Sequence, residues 1–220
     1  INKNKEIKNS TTATYQWKNT KHALFRDICV DIDIKNCHPV IYKQECDKMG
    51  LETKYIKQYN KKREELFNKM INRNEHINNR GDAKRKVNKL FYASIKQILN
   101  EVKQTKFPSL IKKMIFEVCE NRKKINDKYN CIYKYFEEND LIRITNKYNN
   151  NKDGTRMAYI LQHKERECLL CMYEFFKNKG LNVHSLIYDG LQLYKDNKIN
   201  DGLLNKCAEY LYEKTGYKLS

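Results

Sequence analysis

The 220 residues carry 44 Lys and Arg against 27 Asp and Glu, a formal charge of +17 spread along the whole length rather than held in a tail. That length suits one domain of ordinary size, or two small ones, with a real core. No signal peptide or run of about 18 apolar residues occurs, so the chain is expected to be neither secreted nor membrane-bound, and a nucleic acid, ahead of a membrane surface, is the natural polyanionic partner.

Residues 1–13 are polar and rich in Asn and Lys, a lead-in to the folded part. A short helix over Tyr15–Phe25 carries the only Trp, and a strand follows over Ile28–Asp33. Pro39 to Met49 reads as a helix stopped by Gly50, with the proline at its first position. Another helix runs from Lys54 to about Ile71, offering Tyr55, Tyr59, Leu66 and Met70 to one side. Asn72–Gly81 reads as a loop, and a long helix is expected over roughly Asp82–Val102, ending before Phe107-Pro108. Ser109 caps the next helix, with Leu110, Ile111, Met114, Ile115 and Val118 on its apolar side. Lys124–Glu138 continues the helical pattern, Leu141–Thr145 suits a short strand, and Asn146–Gly154 a polar turn region. Thr155–Asn178 is the clearest helix, closed by Gly180. Asn182–Lys195 reads as a β-hairpin about Tyr188-Asp189-Gly190. Asn200–Lys214 is the last helix, and Thr215–Ser220 suits the start of a further strand.

Eight cysteines lie scattered without a disulfide framework and read as reduced thiols of a cytoplasmic or nuclear compartment. Cys168 and Cys171 form a CxxC with no second CxxC or CxxH, inside a helical run, and are assigned to helix packing ahead of zinc or redox chemistry. His22, His76, His163 and His184 show no ligand spacing and read as surface or core.

Val30–Tyr42, VDIDIKNCHPVIY, organises the chain. An alternating apolar and acidic run breaks at Lys35-Asn36 and leads into a helix, so an acid sits at a strand end, as a metal-dependent site requires. Asp31 and Asp33 face the same side of that strand and are rivals for the role. The second candidate acid is Asp189, although Asp-Gly between apolar runs is also a plain hairpin turn. Two such carboxylates suit a pair of Mg²⁺ (or Mn²⁺) ions about 4 Å apart for phosphoryl or nucleotidyl transfer. Arg80, Lys84, Asn88 and Tyr92 recur every four residues and follow one slowly turning helix face over roughly 18 Å. Such a face suits a triphosphate, with cations for the phosphates and an aromatic for the base. A solvated helix face accounts for the same pattern; Gly81-Asp82 as a helix start would leave Arg80 in the loop, and Arg85 with Lys89 offers a rival register.

Asp33-Ile-Lys-Asn-Cys-His-Pro-Val-Ile resembles the first palm motif of the family A DNA polymerases and the single-subunit phage RNA polymerases. Arg80, Lys84, Asn88 and Tyr92 resemble their fingers-helix motif, and Leu186-Ile-Tyr-Asp-Gly190 their second acid-bearing hairpin. The match covers residues 25 to 195 in order. The narrower resemblance is to the transposon and virophage polymerases. Its marks are Asn36-x-His38-Pro39 after the first Asp, a Tyr-x-x-x-Arg-Glu helix at Tyr59 to Glu64, and a Gln-x-x-Glu helix at Gln162 to Glu165. An Asp-Gly replaces the His-Asp-Glu of the hairpin.

The resemblance implies an α-rich α+β palm-and-fingers core with a small antiparallel palm sheet, palm over 25–50 and 155–220 and fingers over about 80–140, within one domain over 14–220. It implies Asp33 and Asp189 as catalytic metal ligands. Arg80, Lys84, Asn88, Tyr92, His38 and Asn36 would face the nucleotide, and Gln162, Glu165 and Arg63 the nucleic acid. Read as residues, Gln162 also suits an exposed edge of a core helix, and Arg63 with Glu64 an intramolecular ion pair. The departures are Ala93 in place of a Gly, Asn88 in place of an aromatic or apolar residue, and His38 at the position that gates the sugar, which leaves deoxynucleotide against ribonucleotide choice open. The partners expected are a DNA primer-template, nucleoside triphosphates and a covalently linked superfamily 3 helicase. The chain is therefore expected to be part of a longer replication protein of a virus or mobile element. A ribonucleotide-using polymerase or primase of the same fold, and a catalytically silent nucleic-acid-binding module, are the alternatives.

Overall fold

The computed structural model describes residues 25–139, 151–187 and 190–220. Two compact units are present, one from residues 25–37 with 164–220 and the other His38–His163. The helix expected over Tyr15–Phe25, with its Trp, the strand expected over Leu141–Thr145, and Asp189 lie outside the described residues, apart from Phe25 itself.

The first unit is built on a sheet of three antiparallel strands, β1 (Cys29–Asp33), β2 (Val183–Ile187) and β3 (Gly190–Tyr194), with β3 in the middle. Residues paired across antiparallel strands share a face. Val30 opposite Leu193 and Ile32 opposite Leu191 therefore form an apolar face, while Asp31 opposite Gln192 and Asp33 opposite Gly190 form a polar one. Leu191 and Leu193 are buried. A bulge at His184 brings Val183 opposite Leu193, which keeps the apolar face continuous. Beside the sheet the unit contains the end of one helix (Lys152–Asn178, α7 below) and another (Asp201–Thr215, α8), which bury Cys168, Met172, Phe176, Cys207 and Leu211. Asn200 caps α8, accepting from the Leu203 amide at 3.0 Å. Residues 216–220 form no strand; Tyr217 and Leu219 are buried, and the Lys35 amide donates to the Ser220 carbonyl at 2.7 Å.

The second unit is helical: α1 (Cys37–Lys48), which begins at the unit boundary, α2 (Lys54–Ile71), α3 (Arg80–Phe91), α4 (Ile95–Gln104), α5 (Ser109–Lys128), α6 (Asn130–Glu138) and the start of α7 (Lys152–Asn178). The central helix is α5, which packs on α2, α3, α4 and α6. Of its expected apolar side, Ile111, Met114, Ile115 and Val118 are fully buried and Leu110 is half-buried. The Thr53 side chain makes no cap for α2. Glu117, buried on α5, does so instead, accepting from the Tyr55 amide at 2.9 Å and the Ile56 amide at 2.8 Å.

α1 starts at Cys37, which places Pro39 inside its first turn, and Ser109 is the first residue of α5 rather than a side-chain cap. Four further boundaries differ from the sequence reading for a visible reason. The helix expected over Asp82–Val102 is two helices, broken at Tyr92-Ala93, because Ser94 starts α4 with a capping box: Ser94 Oγ accepts from the Gln97 amide and Gln97 Oε1 from the Ser94 amide. The first of these helices starts at Arg80, not Asp82, because Asn79 accepts from the Asp82 amide at 3.0 Å. The run Lys124–Glu138 breaks at Tyr129, whose hydroxyl bonds the buried carboxylate of Glu45. Gly154, placed in a turn by its sequence, lies inside α7. A Cβ there would collide with the Tyr92 carbonyl oxygen, so the close approach of helix and break excludes any side chain.

Candidate functional site

In the first unit Asp33 is the last residue of β1, exposed on the polar face and opposite Gly190. A Cβ on Gly190 would run into the Asp33 carboxylate and lie 2.6 Å from the Ile32 carbonyl oxygen and 3.1 Å from Asp33 Cα, so the absence of a side chain there makes room for the acid. Beyond Asp33 the chain leaves the strand through Asn36, which has a φ of +56°, a left-handed conformation that Asn tolerates better than most residues. Asn36 thus has a conformational reason for its identity apart from any nucleotide contact. Asp33, Asp201 and Asn205, with Ile34, Leu204 and Leu211, line a hollow of about 520 Å³. Asp201, at the start of α8, was not singled out from the sequence, where it is one acid in a polar stretch. No group of three metal-ligating side chains occurs among the described residues.

Two residues earlier, the rival Asp31 has a different surrounding. Gln192, 4% exposed, donates from Nε2 to Asp31 Oδ1 at 2.7 Å and accepts at Oε1 from the Ser185 hydroxyl at 2.8 Å. Nothing in the sequence marks Gln192, because its role depends on strand register.

In the second unit the hydroxyl of Tyr92, the C-cap of α3, meets His38 Nδ1 near the start of α1, with the rings edge to face at 5.9 Å. Two residues expected at the nucleotide are thus brought into contact. The chain on either side of Tyr92 is fixed by side chains: buried Arg122 donates to the carbonyls of Phe91 and Ala93, both at 2.8 Å, and Asn151 donates to that of Tyr92 at 2.8 Å. A hollow of about 940 Å³ opens beside the break, lined by Tyr92, Ser94, Gln97 and Asn151 with the amines of Lys89 and Lys96.

Along α3, Arg80, Lys84 and Asn88 are exposed, whereas Ala83, Val87 and Leu90 are buried. Tyr92 ends that series at the C-cap. Arg80 is not an open phosphate ligand: Nε and Nη2 grip Glu64 at 2.6 and 2.7 Å, and Arg63 reaches the same carboxylate at 3.1 Å. The Arg80 hydrogen bond, aided by Arg63, holds the Glu64 carboxyl down at about 2. Arg63 therefore forms the intramolecular pair. The rival cations are also engaged, Arg85 with Asp82 and Lys89 with Glu101. On α7, Gln162 is exposed and Glu165 half-buried. Cys168 is buried with its thiol pushed up to about 12, chiefly by desolvation, as helix packing requires.

Over 197 residues, 88% of the chain, the sequence is 27% identical to a Sputnik virophage protein named "Putative helicase V13". The chain spans 24% of that relative's length. No protein-family model and no solved structure matches the chain. No helix among the described residues is long and apolar enough to cross a membrane.

Proposed function

We propose that this chain is a template-directed nucleotidyltransferase, a DNA polymerase or primase-polymerase domain of a virophage-type replication protein that also carries a helicase. The observation that carries the reading is the register that sets Asp33 opposite Gly190, the residue that follows Asp189 in the chain. An acid at a strand end opposite the residue that follows Asp189 supports that reading. Carboxylate oxygens are the donors that Mg²⁺ takes, one or two per ion beside water and substrate phosphates, so Asp33 with Asp189 is a fitting set. Two Mg²⁺ ions, when bound, supply activation of a primer 3′-hydroxyl and neutralise charge on the departing pyrophosphate.

The chain's own residues do the rest. Lys84, exposed on α3, is the cation assigned to phosphate, since Arg80 is committed to Glu64. The Tyr92–His38 pair shapes the nucleotide pocket, and His38 gates the sugar. The +17 charge holds the duplex, so binding weakens steeply with salt. The relative's name supports replication as the setting. These 220 residues contain no Gly-Lys pair and hence no P-loop, so the motor expected of a helicase belongs to another part of the protein.

The test is Mg²⁺-dependent extension of a labelled primer-template with deoxynucleotides and then ribonucleotides, beside Asp33→Asn and Asp189→Asn. Extension by wild type and loss in both variants is expected. The coverage of a helicase-named relative favours one other reading, a catalytically silent nucleic-acid-binding module. In that case DNA binding is tight and salt-sensitive in all three proteins, and none extends the primer.

A further inference from the structure

Two guanidinium groups meet at one carboxylate in the helical unit. Arg80, the first residue of α3, donates from Nε to Glu64 Oε2 at 2.6 Å and from Nη2 to Oε1 at 2.7 Å. Arg63, the neighbour of Glu64 on α2, donates from Nε to the same Oε1 and brings Nη2 to it, both at 3.1 Å. The guanidinium carbons of both arginines also lie 5.9 Å from the centre of the Phe67 ring, which is fully buried. Two like charges are therefore gathered over one aromatic ring, an arrangement that an anion in front of them makes favourable.

The anion now in place fits that pair only in part. Of the four nitrogens in contact, three lie on Oε1 and one on Oε2, and one carboxylate faces two guanidiniums, so a surplus of positive charge remains. A phosphate holds its oxygens at tetrahedral corners, so that two guanidinium forks can each take a bidentate hold on it, as a flat carboxylate does not allow. Glu64 is also readily displaced. Its side chain is 55% exposed and that of Arg80 53%, and an ion pair so open to water contributes little. Arg63, at 11%, is the fixed member of the pair. Asp82, the other acid near Arg80 in the chain, is engaged by Arg85.

We infer that Arg63 and Arg80 form a phosphate-binding site in which Glu64 is a displaceable stand-in for the ligand. On binding, Arg80 exchanges the Glu64 carboxylate for oxygens of a nucleotide or nucleic-acid phosphate, while Arg63 stays on the Phe67 ring. The inference deepens the nucleotidyltransferase reading above, in which Arg80 is closed to phosphate only while Glu64 is in place.

The test is binding without turnover: inorganic tripolyphosphate, with no divalent metal, is titrated calorimetrically into the protein at low salt. Because Glu64 competes with the ligand, Glu64→Gln is expected to tighten binding about fivefold, the scale of an exposed ion pair. Glu65→Gln, which removes the next carboxylate along α2, paired with Lys69, should leave binding unchanged. In an Arg80→Ala background the gain from Glu64→Gln should fall to about twofold or less, since the two residues are coupled. An equal gain in both backgrounds, an equal gain from Glu65→Gln, or no gain at all overturns the inference. Should Arg80→Ala melt below the assay temperature, Arg80→Lys, which lacks the fork, repeats the comparison. Titration with dATP and with a single-stranded oligodeoxynucleotide identifies the source of the phosphate: the ligand that reproduces the gain is the one that occupies the site. A gain with tripolyphosphate alone marks a site for an adventitious ion only and overturns the inference. Primer extension separates the two levels: the expected binding pattern without extension by wild type sinks the polymerase reading alone, and extension with no gain from Glu64→Gln sinks this inference alone.

Discussion

The carboxylate of Asp33 lies where a side chain on Gly190 would be. The two residues are opposite each other at the end of the β1–β3 pair, so glycine at 190 is a condition for an acid at 33 as well as a turn signal. Gly190→Ala should force β1 and β3 apart at that end. We expect a destabilisation of about 1–3 kcal/mol, read by thermal melting. The displaced acid should reduce primer extension by about 100-fold, read at a temperature where the variant is folded.

On the proposed reading, the contact between Tyr92 and His38 couples sugar choice to α3. His38→Gly should raise ribonucleotide incorporation relative to deoxynucleotide. Tyr92→Phe, which keeps the ring and removes only the hydroxyl, should move selectivity the same way by a smaller step. Single-nucleotide incorporation kinetics with matched dATP and ATP make the comparison; unchanged ratios in both variants would remove His38 as a gate.

Because Glu64 already neutralises Arg80, Lys84→Ala should raise the KM for nucleotide more than Arg80→Ala does. The same ion pair has a pH signature. The Glu64 carboxyl is held at about 2, below the ordinary glutamate value, so its contribution to stability is complete above that ordinary value and is lost as pH falls towards 2. Glu64→Gln should therefore flatten the acid limb of the melting curve between about pH 5 and 2.

Arg122 holds the break between α3 and α4 by two charge-assisted hydrogen bonds to buried carbonyls. Arg122→Ala leaves both acceptors without their donor and should cost about 3 kcal/mol. For a chain of this size that lowers Tm by on the order of 10 °C. Arg122→Lys, with one ammonium in place of a fork, should recover less than half of the loss.

How far the sequence carries depends on whether the signal is local. The strand to Asp33, the buried face of α5 and the long helix closed at Gly180 were all legible, because period and stop residues are written within a few positions. The break at Tyr92 was legible too: Ser94-Ile-Lys-Gln97 spells a capping box, but the apolar and basic pattern running through it reads as one helix. Gly154 inside a helix, Glu117 as the cap of α2 and Gln192 on Asp31 were not legible. Each answers to a residue tens of positions away, and a single sequence does not state register. Arg80 shows the same limit in the site, since spacing identifies a cation on a face but not the carboxylate that already holds it.

The Glu117 cap has a consequence for the order in which this chain acquires its structure. The first amides of α2 find their acceptor sixty-one residues downstream of Ile56, on a helix that must already be docked. Until then α2 begins with bare N–H groups at its first turn, since Thr53 makes no side-chain cap. Its N-terminal turn should therefore close late, together with α5 rather than before it. Hydrogen exchange at Tyr55 and Ile56 would then follow separation of the two helices, with protection factors close to those of the α5 core and far above those of an ordinary fraying end.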